Sequence, residues 1–263
     1  MRQLLTLASA TALVALGASM SVAQDGAPAT STSRSYHLTG FDGISVVGPH
    51  HVVVSVGPAF SVRAEGSEQT LADTEVEVEG GRLEIHPVDD GRWDRRCGDR
   101  GGRDDRQDSW RCRDEYQPAT FHVTLPRIEA ASLAGRGDMR IDRVEGAEFS
   151  ASLAGSGGLA VTTLRVDDAR FSIAGSGDLV ARGSARRSRV SIAGSGNLQA
   201  RDVTSGEASI SIAGSGDVAL TVQDDARVSI VGSGDVEISG PARCAVSRIG
   251  GGRVRCNGET VAG

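Results

Sequence analysis

In the second half of the chain, apolar residues fall on every other position over short runs: Ile210 and Ile212, then Val218 and Leu220; Phe171 and Ile173, then Leu179. A period of two is that of a β-strand with one buried face. Between the runs lies Gly-Ser-Gly, whose glycines reach backbone angles that side chains resist, so a sharp bend is expected there. The unit recurs as SLAGRGDM from Ser132, SLAGSGGL from Ser152, SIAGSGDL from Ser172, SIAGSGNL from Ser191, SIAGSGDV from Ser211 and SIVGSGDV from Ser229, at spacings of 20, 20, 19, 20 and 18 residues. One such unit cannot bury its apolar face alone, so successive units must stack. The pattern predicts an all-β fold, a parallel β-helix or β-solenoid with coils of about 20 residues, running over 127–243.

Stacking in register at about 4.8 Å turns equivalent residues into ladders. One ladder holds Ser156, Ser176, Ser195, Ser215 and Ser233 with Arg136 at its head; its neighbour holds Asp138, Asp178, Asn197, Asp217 and Asp235, interrupted by Gly158. These short side chains are expected to cap turn amides. The competing reading is a cation stripe, because stacked carboxylates repel unless each is hydrogen-bonded or bridged. Asp167-Asp168 and Asp224-Asp225 lie in the variable outer parts of their coils and read as solvated turn residues.

The stretch 35–126 alternates as well, in GISVVGPHHVVVSVG, FSVRAEG, TEVEVEGGRLEIH and TFHVTL, and is expected to form opening coils or a capping sheet, with a hairpin at Gly80-Gly81. It is interrupted at 89–115, where nine acids and eight arginines crowd 27 residues together with Cys97 and Cys112. That segment reads as an exposed loop stapled by a disulfide. At the other end, 244–263, Cys244 and Cys256 bracket Gly250 to Gly252 and suggest a stapled hairpin over the last coil. Each disulfide would close a short loop, worth on the order of 3 kcal/mol.

Cysteine pairing presupposes export, and the first residues supply the signal: Arg2, an apolar run from Leu4 to Leu16, and Ser21-Val22-Ala23, so 1–23 reads as a signal peptide and 24–34 as a flexible linker. Cleavage would remove one arginine and no acid, taking the formal charge from −6 to −7. That sign argues against nucleic acid as a partner. No stretch approaches the length of a membrane-spanning helix. All 28 basic residues are arginine, so lysine-dependent chemistry is excluded. The expected location is the periplasm or cell surface of a Gram-negative-type bacterium.

FDGISVVGPHHVVVSVG, then GGRLEI, then the SIAGSGDL units together resemble the bacterial family described as the putative auto-transporter adhesin head, or GIN, domain. The likeness runs from about Phe41 to Glu237. It implies a two-part β-helical protein, exported or surface-associated, with an adhesin-like role and no assigned chemistry.

GxSxG, HExxH, CxxC and GxxxxGK are all missing. No catalytic residue, metal site or cofactor is assigned, and the five histidines read as exposed strand positions. Arg136-Gly137-Asp138 spells an integrin-type tripeptide, but it sits in the repeat register and follows from one serine-to-arginine change. Three of the four Trp and Tyr residues cluster in and beside the charged loop: Trp93, Trp110 and Tyr116, with Arg96 and Arg103 among arginines able to stack on them or grip a glycan. The function read from the sequence is a non-catalytic adhesin-like module that binds a cell-envelope glycan or surface partner through that loop. Two rivals stand beside it. A carbohydrate-active enzyme on a β-helix requires carboxylates from neighbouring coils to converge in a groove. A structural protein requires copies that stack end to end as a homo-oligomer.

Overall fold

The computed structural model describes residues 31–88 and 117–261. Its strands are β1 (Thr32–Tyr36), β2 (Gly43–Val47), β3 (His51–Val56), β4 (Ser61–Gly66), β5 (Thr74–Glu79), β6 (Arg82–Pro87), β7 (Thr120–Leu125), β8 (Ala130–Gly135), β9 (Asp138–Gly155), β10 (Gly158–Gly175), β11 (Asp178–Gly194), β12 (Asn197–Gly214), β13 (Val218–Gly232), β14 (Val236–Ser239), β15 (Arg243–Ile249), β16 (Val254–Cys256) and β17 (Glu259–Val261), with one short helix, α1 (Glu68–Ala72), capped by Ser67. No helix among the described residues is long and apolar enough to cross a membrane.

β9 to β13 are long because each is a whole coil, and they pair in parallel with like residues in register: Ser152, Ser172, Ser191, Ser211 and Ser229 stand side by side. The protein is a β-solenoid. Each coil has a first run after the corner, a middle run, which shifts register from β10 to β13, and a final run leading to the next corner. Inward residues alternate along the runs, so Leu153, Ile173, Ile192, Ile212 and Ile230 form one buried row and Leu159, Leu179, Leu198, Val218 and Val236 another. The core is thus a narrow column of aliphatic layers, with Phe121, Phe149 and Phe171 its largest side chains.

The corner explains its own sequence. The first glycine takes a positive φ, 120° at Gly175, and its carbonyl accepts from the next coil's Ser195 and Gly196 amides at 2.8 and 3.0 Å. The second glycine leaves no room for a side chain: a Cβ on Gly177 would lie 2.5 Å from the Gly157 carbonyl oxygen. Serine between them stays exposed.

The corner stack is longer than the repeat. Gly48-Pro49-His50 forms a corner beneath Gly135-Arg136-Gly137, and Gly250 to Gly252 form one above Gly232 to Gly234. The expected C-terminal hairpin is therefore corrected. β15 and β16 are successive runs of one more coil, parallel to β13 and β14, because Gly250 and Gly252 fit the close approach to Gly232 and Gly234 of the corner before. The covering strand is β17, antiparallel to β16, and Cys244 and Cys256 are joined across the coil with Cα atoms 6.4 Å apart.

At the other end the stacking order departs from chain order. The β2–β3 coil lies between the β6–β7 coil and the β8–β9 coil, parallel to both. The hairpin at Gly80-Gly81 is present, with β5 antiparallel to β6. β4 lies antiparallel on β7 and β1 on β4, so ordered structure takes in Thr32 to Arg34, which the sequence assigns to the linker. Two long faces result. Face A is built from the first runs and ends at β1 and β17; face B is built from the final runs and ends at β5 and β15.

Candidate binding groove

Five coils of face A form a concave surface near the C-terminal end. Its floor is the outward row Val180, Gln199, Ala219, Glu237 and Arg255, placed side by side by the parallel register. One bank carries Asn197, Asp217, Asp235 and Arg253; the other carries Arg182, Arg201 and Asp202, and together they enclose about 680 Å³.

The acidic bank is ordered by a chain of hydrogen bonds from coil to coil. Asn197 Nδ2 donates to Asp178 Oδ1 at 2.9 Å, the Asp217 amide to Asn197 Oδ1 at 3.1 Å, the Asp235 amide to Asp217 Oδ1 at 2.9 Å and the Arg253 amide to Asp235 Oδ1 at 2.9 Å. Capping of turn amides is what these side chains do. Asn197 separates Asp178 from Asp217, which spares two neighbouring carboxylates a like-charge contact, and the guanidinium of Arg253 closes the row on Asp235 Oδ2 at 2.7 Å. That hydrogen bond holds the Asp235 carboxyl below the usual carboxylate range. At the far end Asp138 Oδ2 faces His51 Nδ1 at 3.4 Å. Among the described residues, no group of three His, Cys, Asp or Glu side chains is placed to hold a metal.

The basic bank is also paired. Arg201 reaches Glu237 across the coil that carries Ala219, and Arg182 lies 3.3 Å from Asp202. The groove therefore offers guanidinium, amide and carboxylate groups in rows one coil apart. Such an arrangement can hydrogen-bond along an extended polar group, over an apolar floor at Val180 and Ala219. A general acid needs a carboxyl whose pKa is raised; Asp235 is shifted the other way.

Asp168 is not a solvated turn residue. Only 8% exposed, it receives Arg187 Nε at 2.9 Å and Nη2 at 2.6 Å, with Arg189 at 3.3 Å. Those bonds, first the hydrogen bond from Arg187 and then the nearby charges, bring its carboxyl down to about 2 and raise Arg187. The register sets the pair: Asp168 and Arg187 are direct partners in adjacent coils. His50 likewise departs from the expected exposed position. It is fully buried, with Nδ1 accepting from the Ala119 amide at 3.3 Å and its ring edge-on to Phe121. It occupies the place of the second corner glycine in the β2–β3 coil, beneath Gly137 and beside Ala119.

Trp93, Arg96, Cys97, Arg103, Trp110, Cys112 and Tyr116 lie outside the described residues. Pro87 ends β6, and Thr120, which pairs with His51, opens β7. The groove residues Gln199, Arg201, Glu237 and Arg255 escape sequence reasoning because they vary from unit to unit. The one available signal is their shared offset of two or four positions after each GSGD-type corner.

A family model described as putative auto-transporter adhesin, head GIN domain, matches residues 40–242. Among curated proteins no sequence match is found. Solved structures similar to the chain include a putative adhesin from Bacteroides fragilis NCTC 9343, 16% identical with a TM-score of 0.71, covering 86% of this chain and 96% of that one. A putative adhesin from Parabacteroides merdae ATCC 43184 is 17% identical with a TM-score of 0.63, covering 85% and 95%. A putative lipid binding protein from Parabacteroides distasonis ATCC 8503 is 19% identical with a TM-score of 0.60, covering 85% and 95%. At these identities the likeness is one of fold.

Proposed function

Because the chain belongs to the family described as putative auto-transporter adhesin, head GIN domain, we propose that it is an exported, non-catalytic module that binds an extended polar polymer, a cell-envelope glycan, along the groove of face A. The observation that carries this reading is the groove itself. Donors and acceptors on Gln199, Arg201, Asp217, Glu237 and Arg255 repeat from coil to coil, as the hydroxyls of a glycan repeat from sugar to sugar. The Arg201–Glu237 pair on the groove, with Arg182–Asp202 and Arg253–Asp235 on its banks, reduces the entropy lost on binding. The charged segment 89–115, with Trp93, Trp110, Tyr116, Arg96 and Arg103, is the second proposed contact, supported by the gathering of three of the chain's four Trp and Tyr residues in and beside it.

A glycan array probed with the mature protein tests both. Arg201→Ala combined with Arg255→Ala is expected to lower binding at least tenfold, by removing about two charge-assisted hydrogen bonds. Binding undiminished in that variant but lost on deleting 89–115 transfers the function to the segment. Binding unchanged in both overturns the proposal.

A further inference from the structure

Face B is one continuous sheet in the order β5, β6, β2, β8, the final runs of β9 to β13, and β15. Among the described residues, its two outermost strands each pair on one side only, β5 with β6 and β15 with β13. An open strand edge is a row of backbone donors and acceptors ready for another strand.

The two edges carry opposite charge. Every charged residue of β5 is acidic, Glu75, Glu77 and Glu79, and every charged residue of β15 is basic, Arg243 and Arg248. The three glutamates and Arg243 point outward and are exposed. Arg243 meets Asp225 at 3.0 Å, yet its side chain remains 82% exposed. The inward rows also match: Val76 and Val78 on one edge, Cys244 and Val246 on the other, are apolar and only partly covered. Ile249, at the end of β15, is 71% exposed.

We propose that copies of this chain assemble head to tail, the β5 edge of one pairing antiparallel with the β15 edge of the next. β5 runs opposite to the other strands of face B, so copies stacked with their axes aligned meet in antiparallel register. Setting Val76 opposite Val246 keeps inward rows together and brings Val78 to Cys244 and Glu79 to Arg243. The same charges oppose the two-fold alternatives, since β5 against β5 faces glutamates with glutamates and β15 against β15 brings two arginine-bearing strands together. A contact between unlike edges does not close on itself in a pair, so it propagates. The surface lies on face B and is independent of the groove on face A.

Sedimentation velocity over a range of concentration and salt tests this. The mature protein is expected to form species larger than dimers that grow with concentration and recede as salt screens the edges. Glu79→Arg and Arg243→Glu, each at an exposed position, are each expected to weaken association by about tenfold or more, while Arg243→Lys retains it. An equimolar mixture of Glu79→Arg and Arg243→Glu chains is expected to assemble again, because each edge of one variant then meets its opposite on the other. A wild-type chain that stays monomeric, an assembly that stops at dimers, single variants that assemble like the wild type, or a mixture that stays dissociated each overturns the proposal.

Discussion

At the scale of single residues, the structure separates groups that hold the coils from groups that merely occupy them. The Tyr36 hydroxyl is buried and finds no hydrogen-bond partner among the described residues. A buried polar group left unpaired costs about 1–3 kcal/mol, so Tyr36→Phe is expected to raise stability by about 1 kcal/mol, read as a higher midpoint in urea. His50 is kept neutral: burial first, and the neighbouring His51 second, lower its pKa from 6.5 to about 4. The sign follows from where the protons are. Between these values the unfolded chain binds the proton and the folded chain does not, so the contribution is complete above pH 6.5 and is lost as pH falls toward 4. The loss is on the order of 3 kcal/mol, and His50→Gln is expected to flatten stability against pH across that window. Asp168 behaves in the same direction much lower, its contribution being present above the ordinary carboxylate range and fading as pH drops through about 2.

At the scale of the element, the coil and its corner were readable in the sequence because both are periodic: alternation marks the runs, and Gly-Ser-Gly marks a backbone approach that only glycine permits. A Cβ on Gly177 would meet the Gly157 oxygen at 2.5 Å and Leu153 Cδ2 at 2.7 Å, one of them rigid backbone. Gly177→Ala is therefore expected to cost ~2 kcal/mol or more, whereas Ser176→Ala, at the exposed corner, falls within about 0.5 kcal/mol of the parent; equal effects in chemical denaturation would contradict this account of the corner. What the period did not reveal is equally physical. The β2–β3 coil sits between two coils that follow it in the chain, and its corner is written Gly-Pro-His because the ring of His50 fills space beside Ala119 and Phe121. Gly250 to Gly252 resemble a local turn in isolation and become a corner only when placed 18 residues after Gly232 to Gly234. The groove was hidden for a related reason: Gln199, Ala219 and Glu237 become neighbours through register, not through sequence similarity.

At the scale of the whole molecule, a solenoid is held together by contacts between adjacent coils, so its stability is close to a sum of neighbour terms and its ends are the places where it opens first. The two ends are closed by different means. The N-terminal end has α1, with Leu71 buried, and the antiparallel strands β4 and β1. Among the described residues the C-terminal end has only the three-residue β17, and its inward row is incomplete: Arg248 stands where Ile230 and Ile212 stand in the coils before it, donating to the Gly252 carbonyl, and Val246 is partly exposed. The bond between Cys244 and Cys256 ties the two runs of that last coil to each other, closing a span of 12 residues. In the loop-entropy picture such a link contributes about 3 kcal/mol. Because each coil contacts only its neighbours, breaking the link acts locally. Replacing both Cys244 and Cys256 by serine is expected to speed amide exchange in β15, β16 and β17 while β10 to β12 keep the protection of the parent. A uniform loss of protection along the solenoid would instead mean that the coils unfold as one cooperative unit, and the neighbour-by-neighbour description of this fold would have to be given up.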